Sequence, residues 1–378
     1  MTLVKPKLIF FVTVDWFFCS HFLGRAIAAR NAGYEVLVLT DVNRHGEIIR
    51  NAGLQLLPLP ISRNSVNPFS ALITLLRIVR VYRRERADLI HHVALKPILL
   101  GSVAARLAGC RCVINAVVGG GYAFTSTHPF ARMLRPLLSM GLKLLLNPLG
   151  SRVVFENSDD LDSFAKDGLV RRLDAVLIRG AGVDPSEFQL AGEAHSVPVV
   201  VLVARLLWDK GIGEFVEAAR ILYQHGLKAR FVIVGDADPE NRACIDSATL
   251  EVWREEGAVE LWGFRRDIPQ ILAQASVACL PSYREGLPKS LLEAMAAGLP
   301  CVTTDVPGCR EAVHDGDNGL VVPPKDGRAL AVALEHMLRN PEHARKMGQR
   351  GRERLEQEFS AQHVNESTLA LYREMLAK

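Results

Sequence analysis

The chain has 378 residues, 49% of them apolar and 23% charged, a soluble globular composition that excludes extensive disorder. Lys and Arg outnumber Asp and Glu by 45 to 41, a net charge of +4, which permits a local phosphate-binding patch and does not point to nucleic acid. The length accommodates two domains, each with its own core.

In chain order, KLIFFVTV (7–14) is followed at once by Asp15 and lacks a small-residue cleavage pattern. It is expected to be a buried first strand, not a secretory leader. Further β-branched runs stand at 34–40 (YEVLVLT), 87–93 (ADLIHHV), 110–118 (CRCVINAVV) and 151–157 (SRVVFEN). Helical patterns fill 21–32, 70–86, 96–108 and 129–147. Apolar strands without polar alternation belong in a parallel sheet covered on both faces.

The stretch AGVDPSEFQLAGEAHSVP (181–198) is rich in Gly, Pro and acids and is expected to be a linker. The rhythm then restarts with VPVVVLVAR (197–205), ARFVIVGD (229–236), VELWGF (259–264), SVACLPS (276–282) and PCVTTD (300–305). Helical segments alternate with them at 211–225, 241–256, 267–275 and 288–297. The tail from 333 is helical and charged, broken at Asn340–Pro341, with an amphipathic helix at 361–376. The expected plan is a first α/β domain over 1–180, a linker over 181–197 and a second domain over 198–355. A C-terminal helical segment over 356–378 can pack back on the first domain. Ligands of doubly wound domains sit at the carboxyl ends of the strands, and two such domains would face across a cleft.

The seven cysteines, at 19, 110, 112, 244, 279, 301 and 309, are odd in number and scattered. Reduced thiols that pack in the core are the expectation, since Cys110 and Cys112 have no second ligand pair. No uncharged apolar run spans a bilayer; the nearest, around 112–127, is interrupted by Gly119, Gly120 and Gly121.

The chemistry concentrates in PSYREGLPKSLLEAMAAGLP (281–300). Pro288 suits a first helical turn, and Gly298 with Pro300 ends the helix. Glu285 then lies in the strand–helix turn, and Glu293 about a turn and a half into the helix. Free amides beside Gly286 can receive an anion. Glu285 can accept from hydroxyls of a ligand held there, and Glu293 from a second diol. A sugar, a phosphate bridge and a ribose in one molecule fit this spacing. Arg205 and Lys210, in the loop leaving the first strand of the second domain, supply counter-charge for a diphosphate. The plain alternatives are a surface pair Lys289–Glu293, a polar turn at Arg284–Glu285 and solvated loop cations. A Walker A loop is absent, and the first strand leads to DWFFCSHFLG, which does not fit a dinucleotide fingerprint.

VARLLWDKGIGEFVEAA (203–219), VIVGD (232–236), the run 261–313 and DGDNGLVVPP (315–324) together resemble the family 4 retaining glycosyltransferases of GT-B fold, with Glu285 to Glu293 as the E-x7-E motif. The first half is similar too, through DLIHHVALKPILLGSVAARLAG (88–109), NAVVGGGYAFTS (115–126) and VVFENSDDLDSF (153–164). The resemblance implies two Rossmann-like domains and a UDP-sugar donor, with no cofactor or metal. Asp236-Ala237-Asp238 has the letters of a D-x-D metal motif, but it follows a strand of the second domain and is taken as a strand end. It implies that Arg205 and Lys210 neutralise the donor diphosphate, that Glu285 contacts the transferred sugar, and that the amides of Gly286 and Leu287 help to hold it. Glu293 would bind the ribose, Gly235 and Phe264 would contribute to the nucleotide site, and His91, at the end of a first-domain strand, would lie near the reacting sugar, with His92 able to take its part. The Gly119–Gly121 turn would allow close approach to ligand. The first loop, 14–17, lacks the glycine pair of many members.

The resemblance further implies an acceptor saccharide linked to undecaprenyl diphosphate, in the synthesis of surface polysaccharide or carrier-linked glycan. Two cationic segments fit peripheral attachment to the anionic cytoplasmic membrane face: 68–88 with Arg77, Arg80, Arg83, Arg84 and Arg86, and 128–150 with Arg132, Arg135 and Lys143. Ordinary helix-on-sheet packing explains their apolar residues as well. A non-hydrolysing UDP-sugar epimerase and a non-catalytic nucleotide-sugar binder are the functional alternatives.

Overall fold

Apolar runs without polar alternation become central parallel strands in both halves of the chain. The structure, a computed structural model, describes residues 5–61, 67–118, 140–148, 150–192 and 197–377. It forms two units, Met1–Ala181 with Gln362–Lys378, and Gly182–Ala361. Gly119–Gly121, Arg132 and Arg135 lie outside the described residues.

The first unit holds β1 (Lys7–Val14), β2 (Glu35–Asp41), β3 (Gln55–Pro58), β4 (Leu89–Val93), β5 (Val113–Val117), β6 (Arg152–Phe155) and β7 (Ala175–Leu177). They pair in parallel in the order β3-β2-β1-β4-β5-β6-β7. The second unit holds β8 (Val199–Val203), β9 (Arg230–Val234), β10 (Glu260–Leu261), β11 (Val277–Leu280), β12 (Cys301–Thr304) and β13 (Gly319–Val322). Their order is β10-β9-β8-β11-β12-β13, again parallel. Two doubly wound sheets are therefore present, as the alternation of strands and helices implies.

The chain closes the first unit with its last helix, Ala361–Leu376. Val364, Leu371, Tyr372 and Met375 pack into the cluster of Phe10, Phe18 and Phe22 beneath β1. Arg152 clamps the helix from outside through Glu374, at 2.7 Å. Each such buried apolar side chain contributes roughly 1.5–3 kcal/mol.

Residues 182–192 differ from a free connector. Val183 N–H donates to the Phe359 carbonyl (3.2 Å), Ala361 N–H to Val183 (2.9 Å) and Ala191 N–H to Ala297 (2.8 Å). Val183 and Phe188 also enter the core of the second unit, so this segment is part of that unit. All seven cysteines are free thiols; Cys279, Cys301 and Cys309 are buried.

The helix Pro68–Glu85 begins at Asn67, whose side chain accepts from Phe69 N–H at 2.9 Å, and ends at Arg86 in the left-handed conformation. Ile78, Val79 and Tyr82 face the core. Phe69, Leu72, Ile73 and Leu76, spaced as i, i+3, i+4 and i+7, lie on an exposed stripe instead. No helix among the described residues is long and apolar enough to cross a membrane.

Candidate active site

In the second sheet the chain leaves β8 toward β9 and β10 on one side, while β11 continues to β12 and β13 on the other. Loops from the carboxyl ends of β8 and β11 therefore diverge, and this switch point is where doubly wound sheets take their ligands. Lys210 closes a single helical turn, Trp208–Lys210, in the loop after β8. Glu285 lies in the loop after β11. The Lys210 ammonium and the Glu285 carboxylate form an ion pair, with side chains only 19% and 11% exposed. Backbone contact between the loops makes this possible. Gly211 has φ 70°, and a Cβ there would stand 1.9 Å from the Pro281 carbonyl oxygen. Tyr283 N–H (2.9 Å) and Ser282 Oγ (3.0 Å) both donate to the carbonyl of Asp209, the residue before Lys210.

The start of the same loop, at the end of β8, supplies the second cation. Arg205 pairs with Asp238 at 2.5 Å. Gly235, at φ 153°, lets the end of β9 approach that of β8, since a Cβ there would meet the Ala204 carbonyl oxygen at 1.8 Å. The later acid of Asp236-Ala237-Asp238 thus faces a guanidinium. Among the described residues no group of three His, Cys, Asp or Glu side chains stands where it could hold a metal ion.

Gly286 is buried, and a Cβ on Gly308 would approach its carbonyl oxygen to 2.3 Å. The Leu287 side chain belongs to the core. Phe264 is 66% exposed beyond β10, available as a flat apolar surface. Glu293 is the fifth residue of the helix Lys289–Ala296 and pairs with Lys289 at 3.4 Å, the i, i+4 contact expected of the plain reading. Burial raises its carboxyl above the usual range, Glu187 adds to the rise, and Lys289 opposes it. Cys309, silent in the sequence, lies close enough to feel both charges of the pair. Burial first and then Glu285 push its thiol up to about 12, so it stays protonated.

His91 stands mid-strand in β4, two residues before its end, and is 2% exposed. Its ring stacks on Phe10, and Nδ1 shares a 2.8 Å hydrogen bond with the Tyr372 hydroxyl. Burial, with Arg25 and His92 adding, pushes it well below the ordinary imidazole range, which leaves it neutral. His92 points to the opposite face, between Tyr82 and Asn115, and is lowered by burial to about 4. Both rings are buried in the first unit, and His91 Nε2 is buried with no hydrogen-bond partner among the described residues.

Two family models cover most of the chain: "Glycosyl transferases group 1" matches residues 197–340 and "Glycosyl transferase 4-like" matches 7–147. The N,N'-diacetylbacillosaminyl-diphospho-undecaprenol alpha-1,3-N-acetylgalactosaminyltransferase of Campylobacter jejuni is 30% identical over 317 residues, 80% of this chain and 82% of its own. The chain is a family-4-like glycosyltransferase. A second relative, the UDP-Gal:alpha-D-GlcNAc-diphosphoundecaprenol alpha-1,3-galactosyltransferase of Escherichia coli, is 29% identical over 274 residues, 69% of each chain. The GT-B fold is shared with the solved structure of Anabaena HepE in complex with UDP and glucose, at TM-score 0.79 and 18% identity over 98% of this chain and 100% of that one.

Three features of the candidate site had no sequence signal: the Asp238 partner of Arg205, the Cys309 thiol beside the ion pair, and the Gly308 approach to Gly286. The raised Glu293 carboxyl has a measurable consequence. The folded protein holds this proton more tightly than the unfolded chain does, so ionisation subtracts stability as pH rises above the ordinary carboxylate range. Without donor, E293Q should melt above the unsubstituted protein at neutral pH, and the gap should close as pH falls to about 4. Thermal scans across that range check it; a constant gap, or none, would contradict the assignment.

Proposed function

We propose that this glycosyltransferase moves a sugar from a UDP-sugar, an N-acetylhexosamine ahead of a plain hexose, to a saccharide carried on polyprenyl diphosphate, with retention of configuration and without a metal. The observation that carries the reading is the enclosed Lys210–Glu285 pair at the switch point of the second sheet. Both relatives act on diphospho-undecaprenol-linked sugars, which supports the acceptor class.

The chemistry follows from the charges. The bond from the anomeric carbon to the diphosphate oxygen breaks, and negative charge grows on the leaving group. Lys210 and Arg205 are placed to stabilise it, taking the role a divalent cation would otherwise fill. The acceptor hydroxyl attacks from the same face, and its proton passes to a donor phosphate oxygen. Glu285, released by Lys210, accepts hydrogen bonds from the sugar hydroxyls; Glu293 does so for the ribose, and Phe264 offers its exposed ring to the base. With a panel of nucleotide sugars and a short-chain prenyl-diphosphate saccharide, the product should keep the donor's anomeric configuration by NMR, undiminished by a chelator. K210A, R205A and E285Q should each lower turnover by about 100-fold or more. Inverted product, or activity within a few-fold of the unsubstituted enzyme, would count against the reading.

The exposed stripe of Phe69, Leu72, Ile73 and Leu76 supports a second element of the proposal. Arg77, Arg80, Arg83 and Arg84 are exposed on the same helix. Apolar side chains with flanking guanidinium groups fit the interface of an anionic membrane, where a lipid-linked acceptor resides, and the cytoplasmic face is the one proposed. The protein should float with vesicles of phosphatidylcholine and phosphatidylglycerol at low salt, and less so with phosphatidylcholine alone. L72S/I73S should abolish flotation; equal flotation of this variant, or none of the unsubstituted protein, would refute the contact.

A further inference from the structure

Lys210 sits between two anchors. On one side the Asp209 carbonyl accepts from Tyr283 N–H and Ser282 Oγ, at 2.9 and 3.0 Å. On the other, the helix Ile212–Gln224 begins directly after Gly211, and Glu214 in its first turn accepts from the Tyr283 hydroxyl at 2.6 Å. Tyr283 therefore grips both flanks of the lysine turn, with its amide before Lys210 and its phenol after it. Glu285, two residues further along the same loop, holds the ammonium itself.

We propose that Tyr283 is a positioning residue for Lys210, acting through Glu214 and the Asp209 carbonyl to hold the lysine turn in place for the donor diphosphate. This rests on the reading of Lys210 as the diphosphate-binding cation. An ion pair alone cannot do the positioning, because the same ammonium must turn from Glu285 to the phosphates when donor arrives. The hydrogen bond from the Tyr283 phenol to Glu214, which does not involve the ammonium, survives that exchange. Tyr283 suits the task, because burial and then the Glu214 carboxylate push its phenol above the ordinary range, so it remains a donor wherever the enzyme works. Lys325 stands over its ring with the ammonium 4.9 Å from the centroid, restricting the aromatic plane from the other side. Glu214 Oε2 is buried with no hydrogen-bond partner among the described residues, so loss of the phenol would leave the whole carboxylate unsatisfied. The site thus depends on a contact lying beside the charged groups, not among them.

A double-mutant cycle tests this, with UDP as the probe and its dissociation constant measured by calorimetry. Y283F should weaken UDP binding by about three- to tenfold, the net worth of one hydrogen bond expressed as affinity. In the K210A background, already weakened, Y283F should cost nothing further, because the group it positions is gone. E214A, which removes the acceptor in place of the donor, should reproduce both results. A phenol of merely structural value would lower affinity by the same factor in both backgrounds, and that outcome overturns the proposal. So does unchanged affinity in Y283F. If K210A itself leaves UDP affinity unaltered, the failure belongs to the donor-site reading. Melting curves of all variants confirm that folded protein is being compared.

Discussion

The site depends on one interaction, the ion pair of Lys210 with Glu285 across two loops that leave adjacent strands in opposite directions. Both groups are substantially shielded, so neither would be tolerated there without the other. Removing one partner of a buried pair typically costs about 3–5 kcal/mol, while the net worth of the intact pair is much smaller. Such a pair is poorly justified as a stability device. It makes sense as a held charge, kept in geometry until a stronger anion competes for the ammonium. Arg205, more exposed and at the start of the same loop, pairs with Asp238 from the loop after β9. In the proposed function, these two cations, each on a carboxylate, meet a diphosphate that brings two negative charges of its own.

The backbone makes this arrangement possible by close approach. Gly211 brings the lysine turn against Pro281, Gly235 brings the end of β9 against Ala204, and Gly308 brings the start of a short helix against Gly286. At each point a side chain would collide with a carbonyl oxygen, and all three glycines have positive φ. The loops are therefore fixed by main chain first and by charge second. Preorganisation of this sort lets an electrostatic site act without reorganising at the moment of reaction.

Much of the fold was legible because fully buried parallel strands write themselves as unbroken apolar runs. KLIFFVTV corresponds to β1 residue for residue, and PCVTTD and ARFVIVGD contain β12 and β9. Edge strands lack that signal: β3 (QLLP) and β7 (AVL) are short and only partly buried, and β13 (GLVV) lay inside a stretch noted only as a motif. VELWGF was read too long because Gly263 turns the chain at φ 68° after the short pairing of β10. At the site, residue types and loop positions were readable for Arg205, Lys210, Glu285 and Glu293, whereas partners distant in sequence were not. Glu285 finds a lysine 75 residues away and not Arg284 beside it. His91 shows the same dependence on distant partners. The buried Tyr372 hydroxyl that meets its Nδ1 comes from 281 residues further on, and no local pattern announces it.

The most direct test of the central claim is a crystal structure with an intact, non-hydrolysable UDP-sugar bound. The account predicts that the Lys210 ammonium leaves Glu285 for a diphosphate oxygen, with Glu285 accepting from a hydroxyl of the sugar. A donor bound in full occupancy while the Lys210–Glu285 pair stays closed and untouched by ligand would contradict it.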